Sequence, residues 1–162
     1  MPTMTQVRAW QGAPVFSYGF RPFFLAGSLY AAFLVAVWVP WYLGMIELPS
    51  ALAPVTWHFH ELLFGYLMAI VAGFLLTAVP NWTGRLPVVG TPLIALCLLW
   101  LAGRIAVMVS SMLDPMVLVA LSLGFPVAFL FVLVREIIAG GNTKNLVVLA
   151  AVGALTAAQA LT

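Results

Sequence analysis

The chain has 162 residues, 65% hydrophobic and only 6% charged, with a formal net charge of +2 from six basic and four acidic residues. A soluble domain carries about 25% charged residues; a chain this poor in charge cannot cover its own surface in water, and lipid is the solvent that suits it. So few cations argue against a nucleic-acid partner, and the lone Cys97, set in an apolar run, forms neither an intramolecular disulfide nor a thiolate metal site.

A membrane span needs about 20 mostly apolar residues. The first candidate runs from Pro22 to Ile46, contains no charge, and is expected to break or kink near Pro40. It is too long for a signal-peptide core and lacks a small-residue cleavage site, so it is read as a retained helix. The second runs from about Thr56 to Val79, with its acidic and histidine residues in the first turns and Pro80-Asn81-Trp82-Thr83-Gly84-Arg85 as its stop. The third runs from Thr91 to Val109 with Arg104 inside. The fourth runs from Pro115 to Val134, with a kink expected at Gly124 and Pro126. The fifth begins at Leu146 and stays apolar to Thr162. Short, turn-rich connections such as Leu48-Pro49-Ser50 and Gly140-Gly141-Asn142-Thr143 leave no linker between domains. The expected fold is all-α: a polytopic transmembrane helix bundle of about five spans, forming a single domain over residues 1–162.

Basic residues favour the cytoplasmic side. Arg8, Arg21, Arg85, Arg135 and Lys144 fall at one end of such a bundle, and Glu47, Glu61 and Asp114 at the other. The N-terminus is therefore expected inside, with Trp57-His58-Phe59-His60-Glu61 at the outer face. Arg104 fits neither end. It can snorkel outward or pair inside the bundle, with Asp114 as a candidate partner.

In the second span Gly65, Ala69, Gly73 and Thr77 recur every fourth residue and line one helix face. Small residues at that spacing admit a close neighbouring helix. Extending the stripe backward reaches Glu61 and nearly His58, whereas His60 turns toward Phe64 and Met68. On a regular helix the two histidines cannot share one metal, because their spacing is neither i, i+3 nor i, i+4. Histidine at the membrane interface is often only an anchor. Two histidines and a carboxylate within four residues favour a metal or haem role for the cluster, with Glu61 orienting a ligating imidazole. A haem held by histidines on two helices would need a further histidine, and this chain has none outside the cluster. Arg21, beside Tyr18 and Phe20, reads first as an interfacial anchor and second as a donor to a haem propionate or lipid phosphate. Asn81 and Arg85 are candidates for binding an anion.

Four strings together resemble the NnrS family: Ser17-Tyr18-Gly19-Phe20-Arg21-Pro22-Phe23-Phe24; Trp57-His58-Phe59-His60-Glu61 with Phe64-Gly65; Gly73-Phe74-Leu75-Leu76-Thr77-Ala78-Val79-Pro80-Asn81-Trp82-Thr83-Gly84-Arg85; and Trp100-Leu101-Ala102-Gly103-Arg104. The resemblance implies a bacterial cytoplasmic-membrane protein that contains haem and copper and is linked to denitrification, nitric oxide and tolerance of nitrosative stress. Family proteins have more spans than this chain. The chain is therefore expected to be the N-terminal portion of a larger bundle, partnered by further helices or by another membrane subunit. Carried onto this sequence, the resemblance makes His58 and His60 candidate metal ligands with Glu61 in support. Arg21 and Arg85 join them as candidate cofactor-binding residues. The competing expectation is a transporter or permease with an outer-face histidine site.

Overall fold

The computed structural model describes residues 10–141 and 143–162, so Arg8 lies outside it. The described residues form five principal helices: α1 (Phe20–Tyr42), α2 (Pro54–Thr83), α3 (Thr91–Met108), α4 (Pro115–Ala139) and α5 (Leu146–Ala160). Four of them, α1 to α4, are long and apolar enough to cross a membrane, whereas α5 is a shorter apolar helix. Large side chains such as Leu29, Phe131 and Val147 stand exposed on the outside, as a lipid-facing surface requires.

Helix starts follow local chemistry. Pro54, Pro92 and Pro115 each sit in a first turn, where their missing N–H has no partner to lose. Asp114 caps α4 by accepting the Met116 N–H at 2.8 Å, which occupies the residue that the sequence offered as a partner for Arg104. The ends depart from expectation. Pro80 does not stop α2, which continues to Thr83 and closes at Gly84 with φ +68°, a left-handed cap that glycine adopts without a Cβ clash. Near that end the Asn81 and Thr83 side chains donate to the Thr77 and Val79 carbonyls. Helix α4 continues past the expected end at Val134 to Ala139, whereas α1 ends as expected near Pro40, two residues beyond it.

The small-residue face of α2 packs against α1. A Cβ at Gly73 would lie 2.8 Å from the Phe24 ring and 3.1 Å from Phe23 Cβ, so only glycine admits α1 at this distance. One turn on, Thr77 Oγ1 accepts the Phe20 N–H at 3.2 Å while donating to the Gly73 carbonyl. Helix α4 packs against α2, α3 and α5. The main core runs through Phe23, Met68, Leu76, Leu93, Phe125 and Phe129, and a second core of Leu34, Trp41, Trp57 and Val107 fills the end where α2 begins. That end is tied by side chains: Ser110 Oγ accepts the Ala51 N–H at 2.9 Å, and Ser111 Oγ donates to the Pro49 carbonyl at 2.8 Å.

Gly73→Ala is expected to destabilise the bundle by about 1–3 kcal/mol through overpacking at the α1–α2 contact. Gly153→Ala, where an added Cβ meets nothing within 4 Å, is expected to be neutral or slightly stabilising. Thermal unfolding of both variants in detergent checks the pair.

Candidate functional site: a buried carboxylate joining three helices

Glu61 lies seven residues into α2, about 10 Å beyond its start at a rise of about 1.5 Å per residue. It is therefore two turns inside the helix and not in its first turn. From Glu61 to Leu67 the helix widens into π-helical turns before resuming α geometry at Met68. Such turns leave the i to i+4 ladder out of register and free carbonyls for other partners. The Gly65 carbonyl takes one, the Trp100 Nε1–H of α3, at 3.0 Å.

The Glu61 side chain is wholly buried. Its Oε1 accepts Arg104 Nη1 at 2.8 Å from α3, and Oε2 accepts the Tyr30 hydroxyl from α1. Arg104 is also buried, with 4% of its side chain exposed. Of the two routes open to Arg104 in the sequence, the structure takes pairing inside the bundle, with Glu61 and not Asp114. Gly65 makes room for the pair. A Cβ there would meet Tyr30 Cε1 at 2.8 Å, Glu61 Oε2 at 2.9 Å and Arg104 Cδ at 3.1 Å.

His60 completes the network. Its Nδ1 lies 3.0 Å from Glu61 Oε1, and its ring packs edge-on to Phe64 at 5.0 Å. The Phe64 contact follows the expected helix face. The contact with Glu61 does not: both residues keep helical φ/ψ, and the two adjacent side chains reach each other across the turn between them. With Nδ1 engaged, Nε2 is the nitrogen left for a ligand. The ring also lines a cavity of about 180 Å³, together with Ser110, Leu118, Ser122 and Gln159.

His58 faces a different neighbour. Its ring stacks on Trp38 of α1, centroids 4.2 Å apart and planes 24° from parallel, and its Nδ1 is buried with no hydrogen-bond partner. His58 and Glu61 thus both turn toward α1, as the small-residue stripe implies. Among the described residues no group of three or more histidine, cysteine or acidic side chains is placed to hold a metal ion.

Arg21 and Arg85 lie at the opposite end of the bundle. Arg21 folds back on the chain entry, donating to the Pro14 carbonyl at 3.0 Å and Ser17 Oγ at 2.8 Å, with its guanidinium over Tyr18 and Phe20. Arg85 pairs with Glu136. Tyr30, Trp38 and Gln159 went unremarked in the sequence. Gln159 is the one amide side chain on α5, which was an available signal; Tyr30 and Trp38 are two of several polar-tipped aromatics on α1, and nothing local singles them out.

Arg104→Leu, which strands the Glu61 carboxylate in the bundle, is expected to cost about 3–5 kcal/mol. The double variant Glu61→Leu/Arg104→Leu removes both charges and is expected to lose less than the worse single variant. Chemical or thermal unfolding of the three proteins in one detergent measures the difference, and a double loss equal to the sum of the singles would show that the charges do not interact.

No curated protein and no solved structure matches the chain. A family model described as NnrS protein matches residues 14–162. That stretch holds the membrane helices, the buried Glu61 network and the paired arginines alike, and the chain belongs to the NnrS family.

Proposed function

We propose that this protein is a metal-binding protein of the bacterial cytoplasmic membrane, acting in the response to nitric oxide and in tolerance of nitrosative stress, with His60 as its principal ligand. Membership of the NnrS family supports the physiological setting. One observation carries the chemistry: His60 is held at Nδ1 by Glu61 while its ring lines a cavity. A carboxylate on one imidazole nitrogen fixes the tautomer and the ring plane and leaves the other nitrogen's lone pair for a metal.

Glu61 is itself held by Arg104 and Tyr30, so the imidazole is positioned from three helices. Copper suits a neutral imidazole ligand, and a cavity of about 180 Å³ has room for an ion and a small ligand. A bound copper ion would supply a redox-active centre able to take a diatomic ligand. These helices furnish one oriented imidazole, and the remaining ligands come from outside the group described. Haem, which the family resemblance also implies, would need a further ligand from beyond α2, because both histidines lie on that helix.

Arg21, Arg85, Arg135 and Lys144 cluster at the end of the bundle away from His60. This supports an N-terminus in the cytoplasm and a metal site nearer the outer face.

Copper content and absorption spectra of protein purified from copper-replete cells test the reading. His60→Ala is expected to lose bound copper, and Glu61→Gln to weaken copper affinity about 10–100-fold with the ligand still present. His60→Ala protein that keeps the wild-type copper content overturns the assignment.

A further inference from the structure

At the end of the bundle away from His60, a second cluster of charges lines a larger cavity. Glu136, on the last turns of α4, has 7% of its side chain exposed and accepts from two arginines. Arg85, in the α2–α3 connection, donates from Nε to Oε2. Arg135 donates from Nε and Nη2 to Oε1, at 2.8 and 2.6 Å. Among the described residues, both terminal nitrogens of Arg85 and the Nη1 of Arg135 are left without a protein acceptor. The three side chains carry a net charge of +1 and line a cavity of about 630 Å³, whose other walls include Leu86, Pro87, Val88 and Val132.

Each feature points to one kind of occupant. A carboxylate shared by two guanidiniums holds them in place, so little rotamer freedom remains to be lost when an anion arrives. The free N–H groups form a fork suited to phosphate oxygens. The cavity is charged on one side and apolar on the other, which matches an amphiphile better than a hydrated free ion. Its depth agrees: Arg135 and Glu136 lie within one turn of the α4 end at Ala139, about 4–6 Å inside it, the level where headgroups meet hydrocarbon.

We propose that Arg85 and Arg135, held by Glu136, bind the phosphate headgroup of an anionic membrane lipid. The site is separate from the Glu61–His60 network and does not depend on what that network binds.

Lipid binding to the full chain in a neutral detergent, followed by native mass spectrometry, tests the proposal, with phosphatidylglycerol and phosphatidylcholine as probes. Wild type is expected to prefer phosphatidylglycerol. The triple variant Arg85→Gln/Arg135→Gln/Glu136→Gln leaves no unpaired buried charge, so it is expected to fold, and to lose about tenfold in that preference. Lys144→Gln, which removes a cation at the same end, is expected to keep it. Retained preference in the triple variant, or an equal loss in Lys144→Gln, overturns the proposal. Inorganic phosphate is the remaining probe. If millimolar phosphate displaces phosphatidylglycerol and protects the protein equally in its absence, the site belongs to a free phosphate ion and the lipid assignment fails.

Discussion

The carboxylate of Glu61 is where three helices meet. It receives a guanidinium from α3, a hydroxyl from α1 and an imidazole from its own helix, and none of its surface reaches solvent. In hydrocarbon an unpaired charge has no water to fall back on. Once α2 carries a glutamate two turns inside its start, the neighbouring helices must bring donors to it. The register of α1 and α3 against α2 is fixed at this point more firmly than by the apolar contacts around it, which are non-directional.

Local geometry is adapted to that demand. The π-helical turns begin at Glu61 itself, and Gly65 lies within them where a methyl group would collide with Tyr30, Glu61 and Arg104. Trp100 takes up the Gly65 carbonyl, so the irregular turn leaves that group satisfied. The same stripe continues to Gly73 and Thr77, where it serves close packing against α1. A single helix face is thus polar and chemically specific at one end and a packing surface at the other.

Charged residues are scarce, and two of the buried ones join elements. Of the four acidic residues, Glu61 and Glu136 each bind partners from another part of the chain, and Asp114 caps a helix. The two carboxylate networks lie toward opposite ends of the bundle, and each lines its own cavity, one with an imidazole and the other with a pair of guanidiniums.

The sequence by itself determined the solvent, the helical class and the position of the main spans, because apolar composition and run length are one-dimensional properties. It also marked the α1-facing stripe of α2, since helical periodicity fixes which residues share a face. The family strings were legible for the same reason: they are local. What the tertiary structure decided was pairing. Arg104 could reach Glu61 or Asp114 on sequence grounds, and only the packing of α3 against α2 selects Glu61. His60 contacts Glu61 because the two adjacent side chains turn toward each other, a rotamer choice that helix periodicity does not fix. Pro80 fails to end α2, because proline disfavours a helix without forbidding it and its cost of about 3 kcal/mol can be outweighed by burial against neighbouring helices. These outcomes rest on contacts between residues distant in the chain, on side-chain rotamers or on burial, and none of these is written in the local pattern.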